Sequence, residues 1–334
     1  MKETSKQKLS RPLGAKLEDI PNVLLCLAIV AFLQPPELFG NVLPVNSESS
    51  AEFARIIEIV DEMEEKYGSD HVLFVTDLDN TALVLNTDVG SEHWFLWQKS
   101  LLANDPNGRG TVARSFDELL SLQQKLYGLS LALPNDRVIP DQIRSWQSRG
   151  IRTMALTSRS TTLRDHSIAE LNSIGIRFES KSIQIDRPVA QEFLPYNLSN
   201  LADSGLTEDD VAALKLPPAT SIILDHGILL TNGQNKGAML RSLFHRSVDA
   251  PKAIVFIDDR PHHVAAVVTA FSLASAPDVA VTAVQYTKSK NIVDSFNGRD
   301  KTADIDQWCE LAGSMHHMFF TGKSASELPF RVCE

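Results

Sequence analysis

Phe74-Val-Thr-Asp-Leu-Asp-Asn-Thr-Ala-Leu83 is the stretch whose reading decides the fold. It continues a short apolar run, Val72 to Val75, of the kind that forms a buried parallel strand. That strand delivers two carboxylates, Asp77 and Asp79, one residue apart at its carboxyl end, where open α/β sheets bind their ligands. Two carboxylates in a low-dielectric crevice repel one another and are best tolerated with a cation between them. A carboxylate held by a hard cation and aimed at phosphorus is a nucleophile able to form an aspartyl-phosphate. Taken alone, the pattern also fits an Asp-rich turn after a strand.

Three further pieces come in order. Ile151 to Leu156 is a second apolar run, ending at Thr157-Ser158-Arg159 ahead of a helix start at Ser160. Hydroxyls at a strand end, with the N–H groups of a helix start behind them, suit an anion. Gly233-Gln-Asn-Lys-Gly237 then sets Lys236 between glycines at the start of an apolar-periodic helix, where its charge can meet phosphate oxygens. Ala253 to Ile257 is a third buried strand, closing on Asp258-Asp259-Arg260. Singly, Thr157 can be a plain helix cap, Lys236 a solvated charge and Asp258-Asp259 a turn. Arg159 either touches substrate or makes a surface salt bridge. The ordered set, three of its members at strand ends, carries the functional reading.

These residues resemble the haloacid dehalogenase-like (HAD) superfamily, dominated by phosphatases, over about Val72 to Tyr286. Its four motifs are matched by Asp77/Asp79, Thr157, Lys236 and Asp258/Asp259. The string His226-Gly-Ile-Leu-Leu-Thr-Asn-Gly-Gln-Asn-Lys-Gly237, with Ile174-Gly-Ile-Arg-Phe178, is similar to an uncharacterised HAD subgroup of bacterial proteins, many exported, known only as a domain of unknown function. The resemblance implies a doubly wound parallel sheet with a small helical cap inserted after the first motif strand. It also implies a Mg2+-dependent phosphatase: Asp77 as nucleophile, Asp79 as general acid and base, and Thr157, Ser158 and Lys236 on the phosphate. Mg2+ is then expected on the Asp77 and Asp258 carboxylates and the Asp79 backbone carbonyl, with Asp259 as a further or alternative ligand. A small phosphorylated substrate is the expected partner. The alternatives are a non-catalytic HAD-fold binding protein and a phosphotransferase using the same intermediate. A response-regulator receiver fits less well, since its acidic pair comes first, and a dehalogenase has no need of Asp79 or a metal.

The chain has 334 residues, 43% of them hydrophobic and 22% charged, enough for one large core or a core plus an insertion. Its net charge of -10 argues against a nucleic-acid polymer as partner, because phosphate backbones need a basic face. The amino terminus reads as an export segment: basic residues, then the apolar run Val23 to Leu33, broken by Pro35-Pro36. The run falls short of the roughly 20 residues that span a bilayer. Val45-Asn-Ser47 is a passable cleavage site. The expectation is an exported protein, periplasmic or secreted, touching membrane only through this segment; an uncleaved anchor and a cytoplasmic enzyme are the alternatives. With Cys26 in that segment, Cys309 and Cys333 remain as an even pair, either disulfide-bonded or reduced.

Residues 1–48 therefore read as export segment and linker, 49–84 and 141–312 as the catalytic core, 85–140 as the helical cap and 313–334 as a tail. Ser49-x-x-Glu52 reads as a capping box opening a helix with Phe53, Ile56, Ile57, Val60 and Met63 on one face. A second box, Ser115-x-x-Glu118, opens a cap helix, and Trp94 and Trp97 read as the cap's own core or as a substrate platform. Ile222 to Thr231 reads as a hairpin turning at Asp225-His226-Gly227, and His262-His263 and His316-His317 as surface histidines.

Overall fold

The computed structural model describes residues 43–186 and 190–333. The expected export segment, with Val23 to Leu33 and Cys26, lies outside the described residues. From Leu43 onward the chain is a mixed α/β unit with a mostly parallel seven-stranded sheet and, among the described residues, ten α-helices. Strands β1 (Val45–Ser50), β2 (Val72–Thr76), β5 (Arg152–Thr157), β6 (Ile223–Asp225), β7 (Ile228–Leu230), β8 (Ala253–Asp258) and β9 (Ala280–Tyr286) run in the order β1-β9-β8-β2-β5-β7-β6. Only β6 is antiparallel, paired with β7 across the tight turn at His226 and Gly227, whose φ values are 47° and 73°.

The apolar runs read from the sequence become the central strands because both faces are covered. Along β2, Val72 and Phe74 point into one hydrophobic cluster and Leu73 and Val75 into the other, the two-residue period of a strand. Helix α1 (Phe53–Tyr67) lays Phe53, Ile56 and Val60 on the first face, where the Trp146 ring lies 4.5 Å from Phe74. Helices α7 (Lys236–His245) and α8 (Pro261–Ser272) cover the second.

Between β2 and β5 the chain makes a short antiparallel ribbon, β3 (Leu83–Leu85) with β4 (Ala132–Pro134). The ribbon brackets two helices, α2 (Glu92–Asn104) and α3 (Phe116–Leu129), capped by the Ser91 and Ser115 hydroxyls at 3.2 Å. Helices α4 (Ile139–Arg149), α5 (Arg164–Ser173), α6 (Glu208–Ala213) and α9 (Lys290–Gly298) complete the set with α10 (Thr302–Phe319).

Four expectations need correction. Residues 45–48 are not linker: β1 pairs in parallel with β9, and it carries no apolar run because it is a half-exposed edge strand. Ser49 accordingly lies in β1 rather than capping a helix; α1 starts after Glu52, without a side-chain cap. At the second box only Ser115 caps, because Glu118 turns to the Arg114 N–H at 2.7 Å. The boundary at 312 falls inside α10, and residues 313–333 are no loose tail, since Leu328 and Phe330 are buried against Trp94, Trp308 and Phe296. Cys309 and Cys333 form a disulfide that closes this segment.

Candidate active site

β8, β2 and β5 lie side by side, so Asp258, Asp77 and Thr157 meet at one edge of the sheet. The chain runs from β2 outward to β5 and β7, then returns to β8 and β9 on the other side. The crevice therefore opens where strand order reverses, the usual ligand position in such sheets. Asp77 extends the ladder by one bond, its N–H donating to Ile257 at 2.9 Å.

Lys236 arrives from β7. Asn232 and Gly233 take left-handed φ values of 52° and 72°, and their N–H groups donate to Arg159 and Ser158 carbonyls at 3.1 and 2.9 Å. That turn ties the lysine loop to the Thr157 loop. Asn235 then caps α7 by accepting from Ala238 N–H at 3.0 Å. Lys236, fully buried, places its Nζ 2.5 Å from Asp77 Oδ1 and 2.6 Å from Asp258 Oδ2. Gly237 permits this approach: a Cβ there would stand 2.1 Å from the Ala266 carbonyl oxygen on α8.

The electrostatics are lopsided. Asp77, Asp79, Glu92, Asp258 and Asp259 converge, while the cations among them are Lys236, Arg159 and Arg260. Burial is the largest influence on both carboxylates that share Lys236. At Asp77 it prevails over the lysine, with help from Asp258 and Asp79, and pushes the acid up to about 6. At Asp258 the lysine and His263, whose Nδ1 lies 3.1 Å away, overcome burial and hold it down to about 2. Burial, then Glu92, Asp77 and Asp258, push Asp259 up to about 9, and its Oδ1 is buried with no partner. Burial likewise raises Glu92 to about 7, despite its ion pair with Arg260. Asp77, Asp258 and Asp259 each offer an oxygen within 4.8 Å of the others, so the three can hold a metal ion. An all-carboxylate set suits a hard divalent cation, and the orphaned Asp259 oxygen and excess of acid fit one.

Asp79 stands apart from that trio. Arg159 grips it with two parallel bonds, Nε to Oδ2 and Nη2 to Oδ1, both 2.8 Å. The same guanidinium reaches Glu170 at 2.5 Å and Ser167 at 2.9 Å, and stacks 4.4 Å from the Tyr127 ring centre. Burial would raise Asp79, but Arg159 outweighs it and keeps the acid below the usual carboxylate range. Arg159 thus makes a buried ion pair, not a surface one. Thr157 is buried and accepts the Arg159 N–H at 3.2 Å, leaving its O–H free to donate outward. Ser158 Oγ is buried without a partner. Both hydroxyl residues, with Asp77 and Asp79, line a cavity of about 550 Å³ roofed by α2 and α3; Lys236 does not face it.

Sequence reading singled out Asp77, Asp79, Thr157, Ser158, Lys236, Asp258 and Asp259, and the fold brings all seven to one edge. It missed Glu92, Arg260, Glu170 and His263. His263 is no plain surface histidine, and its place one turn into the helix after Asp258-Asp259 was the available signal. Nothing local marks Glu92, whose partner Arg260 comes from a distant segment, or Glu170, which α5 brings back to Arg159 eleven residues before it.

A mostly parallel sheet of Rossmann-like α/β character, with a lysine-bridged acidic crevice at its carboxyl edge, defines the class. Within it, the chain belongs to the family described as "Protein of unknown function (DUF2608)", whose model matches residues 52–317. No curated protein and no solved structure matches the chain.

Proposed function

We propose that this protein is a Mg2+-dependent phosphomonoester hydrolase of the haloacid dehalogenase-like type, acting through an aspartyl-phosphate on Asp77. The observation that carries the reading is the double contact of Lys236 with Asp77 and Asp258, at 2.5 and 2.6 Å, beneath a cavity floored by hydroxyls. Lys236 then acts chiefly by orienting the nucleophile and offsetting its charge. Asp77 attacks phosphorus, the ester P–O bond breaks, and Asp79, carrying the proton it took from water in the previous turnover and kept protonated as the ester's negative charge offsets the pull of Arg159, gives that proton to the departing alkoxide. Water next attacks the phospho-aspartate while Asp79 takes a proton from it, returning phosphate and free Asp77. The Arg159-bound state of Asp79 is the base form required in that second step. When Asp79 is protonated, Glu170, Ser167 and Tyr127 keep Arg159 in place. Thr157 and Ser158 donate to non-bridging oxygens as charge develops. Asp77, Asp258 and Asp259, with the Asp79 carbonyl, would hold Mg2+, which supplies neutralisation of the nucleophile and the substrate.

The proposal places the protein outside the cytoplasm, as the Cys309–Cys333 disulfide supports. The test is hydrolysis of p-nitrophenyl phosphate by the full chain. Activity is expected with Mg2+ and lost with EDTA, and Asp77→Asn is expected to lower it about a thousandfold or more with unchanged circular dichroism. Full activity of Asp77→Asn would overturn the reading.

A further inference from the structure

The two cap helices are apolar on two faces, and only one of them builds the cap. Trp94, Leu119 and Leu122 are buried to 1% exposure or less in a cluster shared with Trp308 and Phe330. Leu96 and Phe116 turn the other way and are 41% and 44% exposed, although both are large and apolar. With Phe95 and Leu120 they line the cavity above Asp77, Thr157 and Ser158. Phe116 and Leu120, one helical turn apart, form a stripe on α3, and Phe95 faces it from α2. The Phe95 and Phe116 ring centres are 6.3 Å apart and tilted by 54°, so the two rings touch and form one aromatic side of the cleft. Phe95 also packs against the cap's own cluster and Lys99 lies over the Phe116 ring, 5.6 Å from its centre, but Leu96 and Phe116 remain large, apolar and exposed on the cleft side, where a ligand would cover them.

We infer that the substrate is a phosphomonoester with a flat aromatic body on its alcohol side: the phosphate meets Thr157 and Ser158 on the floor, and the ring lies against the side of the cleft that Phe116, Leu96 and Leu120 form with Phe95. This rests on the phosphatase reading above. A cavity of about 550 Å³ accommodates a small aromatic ester with room to spare. Edge-on and offset contacts with aromatic walls favour a flat ring over an aliphatic chain of similar size.

Leaving-group chemistry must not mimic the effect, because phenolate departs far more readily than an alkoxide. The comparison therefore uses 2-phenylethyl phosphate, hexyl phosphate and glycerol 3-phosphate, whose leaving alcohols are of similar basicity. With Mg2+ and the full chain, kcat/KM for the phenylethyl ester is expected to exceed that of both others by about tenfold. Phe116→Ala should bring those ratios to within about twofold, and Phe116→Trp should retain them. Phe116 is half-exposed at the start of α3, so neither change threatens folding. Equal turnover of hexyl or glycerol phosphate by an enzyme active on p-nitrophenyl phosphate would overturn the aromatic assignment alone. Inactivity toward all the esters would overturn the phosphatase reading and this inference with it.

Discussion

Lys236 lies 159 positions from Asp77 in the chain, and its ammonium stands 2.5 Å from the Asp77 carboxylate. A buried ammonium in contact with two carboxylates is costly to remove by halves. Lys236→Met keeps much of the volume but leaves Asp77 and Asp258 facing one another without compensation. We expect a stability loss of about 3–5 kcal/mol by urea unfolding in EDTA, since breaking a buried pair strands its partner's charge. A loss under about 1 kcal/mol would mean that the lysine is not structurally coupled to the acids.

Acidity should tune the same cluster. Asp77, Glu92 and Asp259 stand at about 6, 7 and 9, above the ordinary carboxylate value near 4. A raised folded-state pKa means that the folded chain binds more protons than the unfolded one between those limits, so stability falls as pH rises. The depressed acids, Asp258 and Asp79, act in the opposite sense, but their contribution is complete once pH exceeds the ordinary carboxylate range. The chelated protein is thus expected to melt at lower temperature at pH 9 than at pH 6. Added Mg2+ should raise the melting temperature more at pH 9, where its proposed ligands Asp77 and Asp259 shed their protons more easily. Thermal scans at the two pH values, with and without Mg2+, check both signs.

Gly237 makes a sharper test, because helix propensity and packing disagree there. Propensity alone credits Gly→Ala within a helix with about 1 kcal/mol of stabilisation. The Ala266 carbonyl oxygen, 2.1 Å from where the methyl would sit, is backbone and cannot swing aside. Gly237→Ala should therefore destabilise by about 1–3 kcal/mol and displace the adjoining Lys236, lowering the proposed phosphatase activity as well. A stabilised, fully active variant would show that α7 and α8 are free to separate.

The disulfide closes a loop of sequence separation 24 and holds residues up to 333 against the side of α2 and α3 that carries Trp94, Leu119 and Leu122. Trp308 Nε1 donates to the Arg331 carbonyl at 3.1 Å, and Arg114 donates to Leu328 and Ala325 carbonyls at 3.0 and 2.8 Å. Cys309→Ser with Cys333→Ser should cost about 2–4 kcal/mol. Proteolytic cleavage should appear first near residues 320–330, read by mass spectrometry. Cleavage elsewhere at an unchanged rate would show the segment to be held by packing alone.

Much of the candidate site was readable in one dimension because its parts announce themselves locally. Apolar runs that end in Asp77, Thr157 and Asp258 are visible in any window of ten residues, and sheet geometry then places their ends together. The edge strand β1 was not visible, because an exposed edge has no need of an apolar pattern. Nor was the core that α2 and α3 share with α10 and the segment after it, since Trp94 and Trp308 show no periodic relation to one another.

The order of strands and acids along the chain determined the class of fold and which side chains gather at its edge, for hydrophobic periodicity is a local property. Which partner each charge takes was decided only in three dimensions: Arg159 with Asp79 and Glu170, Arg260 with Glu92, Lys236 between two aspartates. The reason is that Coulombic pairing depends on distance and burial, and folding sets both between residues the sequence holds far apart.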